Sequence, residues 1–185
     1  MSLQAPVVVL MSGGLDSTAL IDFYLRRKAT VKCIHFQYGQ SNSQSEAKAA
    51  EEVAEYYKVE CQVARLEFPL MKRKDEMVGR NAMFVIAAGC LRPPPMRIAL
   101  GIHSGPAYYD CSSSFVVDCQ RLLDGYFGGM VRVEAPFLRF GKADIANYCK
   151  ANHVPIHLTY SCLRQNYPPC GECSSCRDRT TFVGC

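Results

Sequence analysis

Nowhere does this sequence of 185 residues approach the roughly 18 consecutive apolar residues that a membrane-spanning helix needs. A strong charge of one sign is missing too: 21 Lys and Arg against 17 Asp and Glu leave a net charge of +4. So mild an excess suits an anionic small molecule and is too weak to argue for a nucleic-acid surface. The short basic groups Arg26-Arg27-Lys28 and Lys72-Arg73-Lys74 read as solvated helix ends and loops. Internal repeats and low-complexity segments are absent, which excludes a fibre or a disordered tail. The residues from Met1 to Pro6 have neither the basic region nor the cleavage site of a secretion signal, so we expect a cytoplasmic protein.

What is present is a sequence that is 49% apolar with a mean hydropathy of −0.04, enough for one cored domain with a small appendage. Val7 to Leu10 is a short, continuous, β-branched run, the pattern of a strand buried on both faces. Further strands are expected over Val31–Tyr38, Val59–Leu66, Arg97–Ile102 and Val131–Val133. Helices are expected over Thr18–Lys28, Gln44–Tyr57, Asn81–Leu91, Phe115–Phe127 and Lys142–Asn152. Such alternation predicts an α/β fold, a doubly wound parallel sheet with helices on both faces. After Val154 the rhythm stops, and prolines and cysteines take over. We therefore expect a main domain over residues 1–153 and a metal-tied tail over 154–185.

The first expected strand runs straight into Ser12-Gly13-Gly14-Leu15-Asp16-Ser17, which opens the first helix. Glycines let the backbone approach a ligand closely, and successive N–H groups beside a helix N-terminus form a cradle for phosphate. Ser12, Ser17 and Thr18 add hydroxyls, and Asp16 can hold a magnesium ion or orient the loop. No Gly-Lys-Ser/Thr follows, so this is not the loop of the P-loop NTPases. The bland alternative is a strand-to-helix turn capped by Asp16 or Ser17.

Of the eleven cysteines, Cys162, Cys170, Cys173 and Cys176 lie close together near the C-terminus. Four thiolates at this spacing can close a tetrahedron around zinc, with Gly171 turning the chain between ligands. An iron–sulfur cluster would use the same ligands, and a redox pair is a further reading. His153 and His157 read as packing or surface residues. Cys111 reads equally as a nucleophile or as a small buried hydrophobe.

The glycine loop resembles that of the PP-loop ATP pyrophosphatases, whose fold is of the adenine nucleotide alpha hydrolase type. The resemblance implies that the loop binds the pyrophosphate of ATP while a substrate oxygen attacks the α-phosphate. With Gln37-Tyr38-Gly39-Gln40, Gly79-Arg80-Asn81, Asp110-Cys111, Lys142-Ala143-Asp144-Ile145 and Thr159-Tyr160-Ser161-Cys162, the chain is similar to the 7-cyano-7-deazaguanine synthase family. That implies a ligase that uses ATP, ammonia and 7-carboxy-7-deazaguanine to form a nitrile in queuosine biosynthesis, acting as a homodimer with Mg²⁺ and Zn²⁺. ATP would lie along Met11, Ser12, Gly13, Gly14, Leu15, Asp16, Ser17 and Thr18. The backbone of Phe36 and Gln37 would face adenine, with Gly101 at the end of the fourth strand. Catalytic work would fall to Asp16, Ser17, Arg80, Asp110 and Lys142, and zinc to the four tail cysteines.

The chain departs from this family in two places. The segment between Phe68 and Val78 is short, and the loop from His103 to Cys111 lacks the family's Asp-x-Ser-Gly-Tyr run. Both are expected to border the pocket for the second substrate. Beside this ligase stand a PP-loop paralogue that adenylates a different acid or deazapurine, and two further readings. A tRNA sulfur-transfer enzyme of the same superfamily would need a basic tRNA-binding domain. The other is a non-catalytic nucleotide-binding module.

Overall fold

Each residue of β1 (Val7–Leu10) is covered on its own side of the sheet, as its β-branched run demands. Val7 and Val9 face one core, and Val8 and Leu10 face the other. A computed structural model describes residues 5–66, 72–73, 76–105, 107–164 and 168–184, with the side chains of residues 72, 73 and 76 left aside. Beside β1 run β2 (Val31–Gln37) and β3 (Glu60–Arg65) in one direction, and β6 (Met96–Ala99) and β7 (Val131–Glu134) in the other. Every pairing in this sheet is parallel, in the order β3-β2-β1-β6-β7. The strand order therefore reverses at β1, and the crevice between the carboxyl ends of β1 and β6 is the switch point where such sheets bind ligands.

Helices α1 (Leu15–Arg26), α2 (Ser43–Tyr57) and α5 (Lys142–Ala151) cover one face, through Leu20, Ile21, Ala50, Val53, Ile145 and Cys149. On the other face lie α3 (Arg80–Leu91) and α4 (Ser113–Phe127), through Val85, Ala88, Phe115, Cys119 and Leu123. Local signals close the helices. Ser112 caps α4 by accepting the Phe115 N–H at 3.1 Å, and Gly128 ends it in the left-handed region. No described helix is long and apolar enough to cross a membrane.

The doubly wound α/β sheet is as expected, but three local features differ. Helix α1 begins at Leu15, three residues ahead of the expected Thr18, so Asp16 and Ser17 form its first turn and Gly14 is its cap. An antiparallel pair, β4 (Lys72–Arg73) with β5 (Glu76–Met77), occupies part of the short segment before α3, where no strand was expected. Residues 68–71, 74 and 75 of that segment lie outside the described residues, as does Pro106 in the other departing loop. A last helix, α6 (Ser174–Val183), continues from the cysteine group, where the sequence suggested only an irregular tail.

The tail packs on the α1–α2 side of the sheet. Tyr160 donates its N–H to the Gly13 carbonyl at 2.9 Å, and Lys150 on α5 donates to the Phe182 carbonyl at 2.9 Å. His153 and His157 are exposed.

Candidate active site and cysteine cluster

The glycine loop turns where the chain must leave β1 and enter α1 beneath α2. Gly13 has φ of +79°, and a Cβ there would lie 2.5 Å from the Glu46 carbonyl oxygen. Only glycine meets both conditions. Beyond the turn, the first helical bond runs from Thr18 N–H to Gly14 O at 3.1 Å. The N–H groups of Leu15, Asp16 and Ser17 come before it and have no carbonyl partner within the helix, which leaves them for an anion.

The loop hydroxyls brace the turn. Ser17 Oγ donates to the Gly14 carbonyl at 3.1 Å and accepts from Ser12 N–H at 3.2 Å. Ser12 Oγ accepts from Gly14 N–H at 3.2 Å. Thr18 is fully buried, and its hydroxyl donates to the Gly14 carbonyl at 2.9 Å. Of the three, Ser12 and Ser17 reach the cavity that opens above the loop, and Thr18 does not.

That cavity has a volume of about 300 Å³ and lies at the switch point. Met11, Ser12, Asp16, Ser17, Phe36, Arg80, Gly101 and Asp110 all border it, joining residues that are far apart in sequence. Gly13, Gly14, Leu15, Gln37 and Lys142 do not border it, and Gln37 instead accepts from Arg65 at 3.2 Å. Lys142 meets the site through Asp16: its ammonium donates to Asp16 Oδ2 at 2.7 Å. The other carboxylate oxygen, Oδ1, is buried with no hydrogen-bond partner among the described residues. Such an orphaned oxygen suits a cation or a donor brought by a ligand.

Gly101 lies where β6 meets α1. A Cβ there would come within 3.2 Å of Ser17 N, so the glycine lets the two switch-point strands and the loop close up. On the opposite wall Phe36 stacks on Phe84 at 4.6 Å between ring centroids. Arg80 reaches the Tyr38 hydroxyl at 3.5 Å. Cys111 is half-buried at the cavity edge, 3.8 Å from Asp110 Oδ1.

Several cavity residues escaped the sequence reading. His103 Nε2 lies 3.9 Å from Asp16 Oδ2, and burial with the Lys142 ammonium holds its pKa below the ordinary imidazole value. Glu46 accepts from Gln40 and Asn42 at 3.0 and 2.8 Å, while burial pushes its carboxyl up. His35 is buried at the end of β2. Two histidines in the departing loop and a strand carry no spacing signal; only their place at the carboxyl ends of the strands marks them.

The four tail cysteines do converge. The sulfurs of Cys162, Cys170, Cys173 and Cys176 all lie within 4.8 Å of one another. Backbone N–H groups point at them: Arg164 at Cys162, Leu163 at Cys173, and Cys173 at Cys170, at 3.4 to 3.5 Å. The N–H groups of Cys173 and Glu172 draw the Cys170 thiol down to about 6, and burial pushes Cys176 up to about 12. Four soft donors this close, with N–H groups ready to offset their charge, fit a metal ion.

Comparison with known proteins adds the family. The model of the queuosine biosynthesis protein QueC matches residues 6–76 and 71–183. The chain belongs to the QueC family. Curated relatives named 7-cyano-7-deazaguanine synthase, from Sulfurihydrogenibium sp. (strain YO3AOP1) and Aquifex aeolicus (strain VF5), are each 30% identical to it. The matches cover 94% of this chain and 91% and 94% of those relatives. The first alignment spans 204 positions against 185 residues here, so that relative carries residues this QueC-family chain lacks. The two family-model matches meet at residues 71–76, inside the segment read as short. Among solved structures, the U34-tRNA thiolase NcsA from Methanococcus maripaludis aligns with a TM-score of 0.55 at 14% identity, over 98% of this chain and 66% of that one. NMN synthetase from Francisella tularensis aligns with a TM-score of 0.55 at 12% identity, over 97% and 84%. Likenesses this distant speak for the fold alone.

Proposed function

We propose that this chain is an ATP-dependent carbon–nitrogen ligase, converting 7-carboxy-7-deazaguanine and ammonia into 7-cyano-7-deazaguanine for queuosine biosynthesis. The observation that carries the proposal is the glycine loop from Ser12 to Ser17 at the head of a switch-point cavity, in a chain of the QueC family. A carboxylate resists attack by ammonia until its oxygen becomes a good leaving group. In this reading the acid's oxygen attacks the α-phosphate of ATP and pyrophosphate leaves. Ammonia then displaces AMP to give the amide. A second adenylation, now on the amide oxygen, lets AMP leave again as the C≡N bond forms.

The residues divide this work by position. The N–H groups of Asp16 and Ser17, in the α1 first turn and bordering the cavity, bind the pyrophosphate. Arg80 and Lys142 offset charge that builds up as it departs, with Asp16 holding the Lys142 ammonium in place. Asp110 and Cys111, which also line the cavity, face the acid in this reading. Asp16 Oδ1 suits Mg²⁺, which would neutralise the phosphates. Cys162, Cys170, Cys173 and Cys176 would hold Zn²⁺, whose task there is to tie the tail to the loop. A cytoplasmic homodimer belongs to the same reading, and light scattering on the purified protein tests the dimer.

The decisive assay incubates purified protein with ATP, 7-carboxy-7-deazaguanine and ammonium and follows all masses. The expected products are AMP, pyrophosphate and the nitrile. Exchange of pyrophosphate into ATP without nitrile would move the proposal to another acid, and no turnover of ATP with the acid would overturn it.

A further inference from the structure

His35 is a buried polar residue on the cavity wall that the proposed chemistry leaves unused. It belongs to β2, is 1% exposed, and borders the cavity beside Met11, Ser12 and Phe36. Its two ring nitrogens differ. Nδ1 lies 2.9 Å from the Met11 carbonyl oxygen. A carbonyl only accepts, so Nδ1 carries the hydrogen. Burial lowers the pKa of the ring, so the imidazole is neutral at pH 7. Nε2 is then a bare acceptor, and no described residue donates to it. A buried acceptor left without a donor is costly, which makes such an atom informative beside a ligand cavity.

The chemistry of the missing partner follows. Phosphate oxygens only accept at neutral pH, so they would repel the Nε2 lone pair. The nucleoside carries the donors: an exocyclic amine on the base and hydroxyls on the ribose. Met11, whose carbonyl fixes the ring, is the residue that leads into the phosphate loop, so a nucleotide seated on that loop brings its nucleoside close to His35. The neighbouring walls, Phe36, Phe84, Leu100 and Ile102, are apolar and suit a base or sugar.

We propose that His35 is a specificity-determining residue, with Nε2 accepting a hydrogen bond from the amine or a ribose hydroxyl of the bound nucleotide. This rests on the reading of the cavity as an ATP site.

Calorimetric binding of four nucleotides tests it: ATP, purine riboside triphosphate (which lacks the 6-amine), 2′-deoxy-ATP and 3′-deoxy-ATP. They are compared in the parent, His35→Leu and His35→Gln. A glutamine can donate to Met11 with its nitrogen and still accept with its oxygen. His35→Leu should weaken ATP roughly fivefold to tenfold, the worth of one neutral hydrogen bond. It should not weaken the one analogue that lacks the donor, and that analogue names the source as base or sugar. His35→Gln should restore most of the affinity for ATP. Unchanged ATP binding by His35→Leu overturns the proposal. So does an equal loss for all four nucleotides, which would mark a structural role. If His35→Leu does not fold, the four nucleotides are compared in the parent: one analogue that lacks a donor should bind roughly fivefold to tenfold more weakly than ATP, and equal binding of all four overturns the proposal. A parent protein that binds no ATP would overturn the nucleotide reading instead.

Discussion

Asp16 is held by two different constraints. Its Oδ2 is fixed by Lys142 at 2.7 Å, and its Oδ1 is buried without a partner among the described residues. A carboxylate held on one side and free on the other is prepared for a cation or a ligand donor. Asp16→Asn keeps the size and removes the charge that holds Lys142 and suits a cation, so ATP turnover should fall by roughly a hundredfold or more, as when the cations that stabilise developing charge lose their position. Lys142→Met should slow turnover as well, and the double variant should lose less than the two single losses combined, because the groups act as a pair. Independent effects in that cycle would sink the pairing. A pH prediction belongs to the same scale. Burial depresses the folded pKa of both His35 and His103, with Asp16 opposing it at His103. The fold therefore favours their neutral forms. The stability they contribute is full above the ordinary value of about 6.5 and drains away as pH falls toward the folded values. The melting temperature should drop between pH 7.5 and 5.5, and His35→Gln should drop less than the parent; equal slopes would contradict this account.

Among the elements, the loop between β1 and α1 has the least freedom. Gly13→Ala adds a Cβ at positive φ and 2.5 Å from the Glu46 carbonyl, whereas Gly39 has φ of +83° but nothing within 4 Å of an added Cβ. Left-handed strain alone costs roughly 1–2 kcal/mol, and overpacking adds about 1–3 kcal/mol. Chemical denaturation should therefore find Gly13→Ala less stable than Gly39→Ala by at least about 1 kcal/mol; equal costs would mean that α2 moves aside freely. These elements were legible in the sequence to different degrees. The core strands and helices were plain because Val7 to Leu10 is a continuous apolar run between two cores, and Ala50, Val53 and Ala54 are buried at helical spacing. The start of α1 was misplaced because its cap is a glycine without a side-chain cap bond, and the signal residues Asp16 and Ser17 sit inside the first turn. The β4–β5 pair was missed because its strands are two residues long, too short for any period. Helix α6 was missed because its sequence, Ser174 to Val183, is mostly polar and buries only Cys176. Its place is set by the cysteines, not by an apolar stripe.

For the molecule as a whole, the cysteine tail and the phosphate loop are one structure. The Tyr160 N–H holds the Gly13 carbonyl at 2.9 Å. Asn42, buried between them, donates to the Cys162 carbonyl at 2.9 Å and to Glu46 at 2.8 Å, and Glu46 borders the cavity. Cys162 and Cys176 pack with Tyr160 against Ala49 of α2. Sequence spacing identified both motifs but not this contact, because the Tyr160–Gly13 bond joins backbone groups of any residue type and Asn42 lies 120 residues from Cys162, with no spacing to link them. A metal that gathers the four sulfurs would therefore also fix the loop's rear wall. Metal analysis of the purified protein should find about one ion per chain, zinc rather than iron, and Cys173→Ser should lose it. Metal-free protein should then bind ATP more weakly, by roughly threefold to thirtyfold, the range that contact networks of this kind transmit. Asn42→Ala separates the two effects: it should keep the metal and still lose part of the affinity, because Glu46 and the Cys162 carbonyl are no longer joined. If removing the metal lowers the melting temperature but leaves ATP affinity unchanged, the tail is only a clasp for the fold, and the bonds through Tyr160 and Asn42 carry nothing to the site.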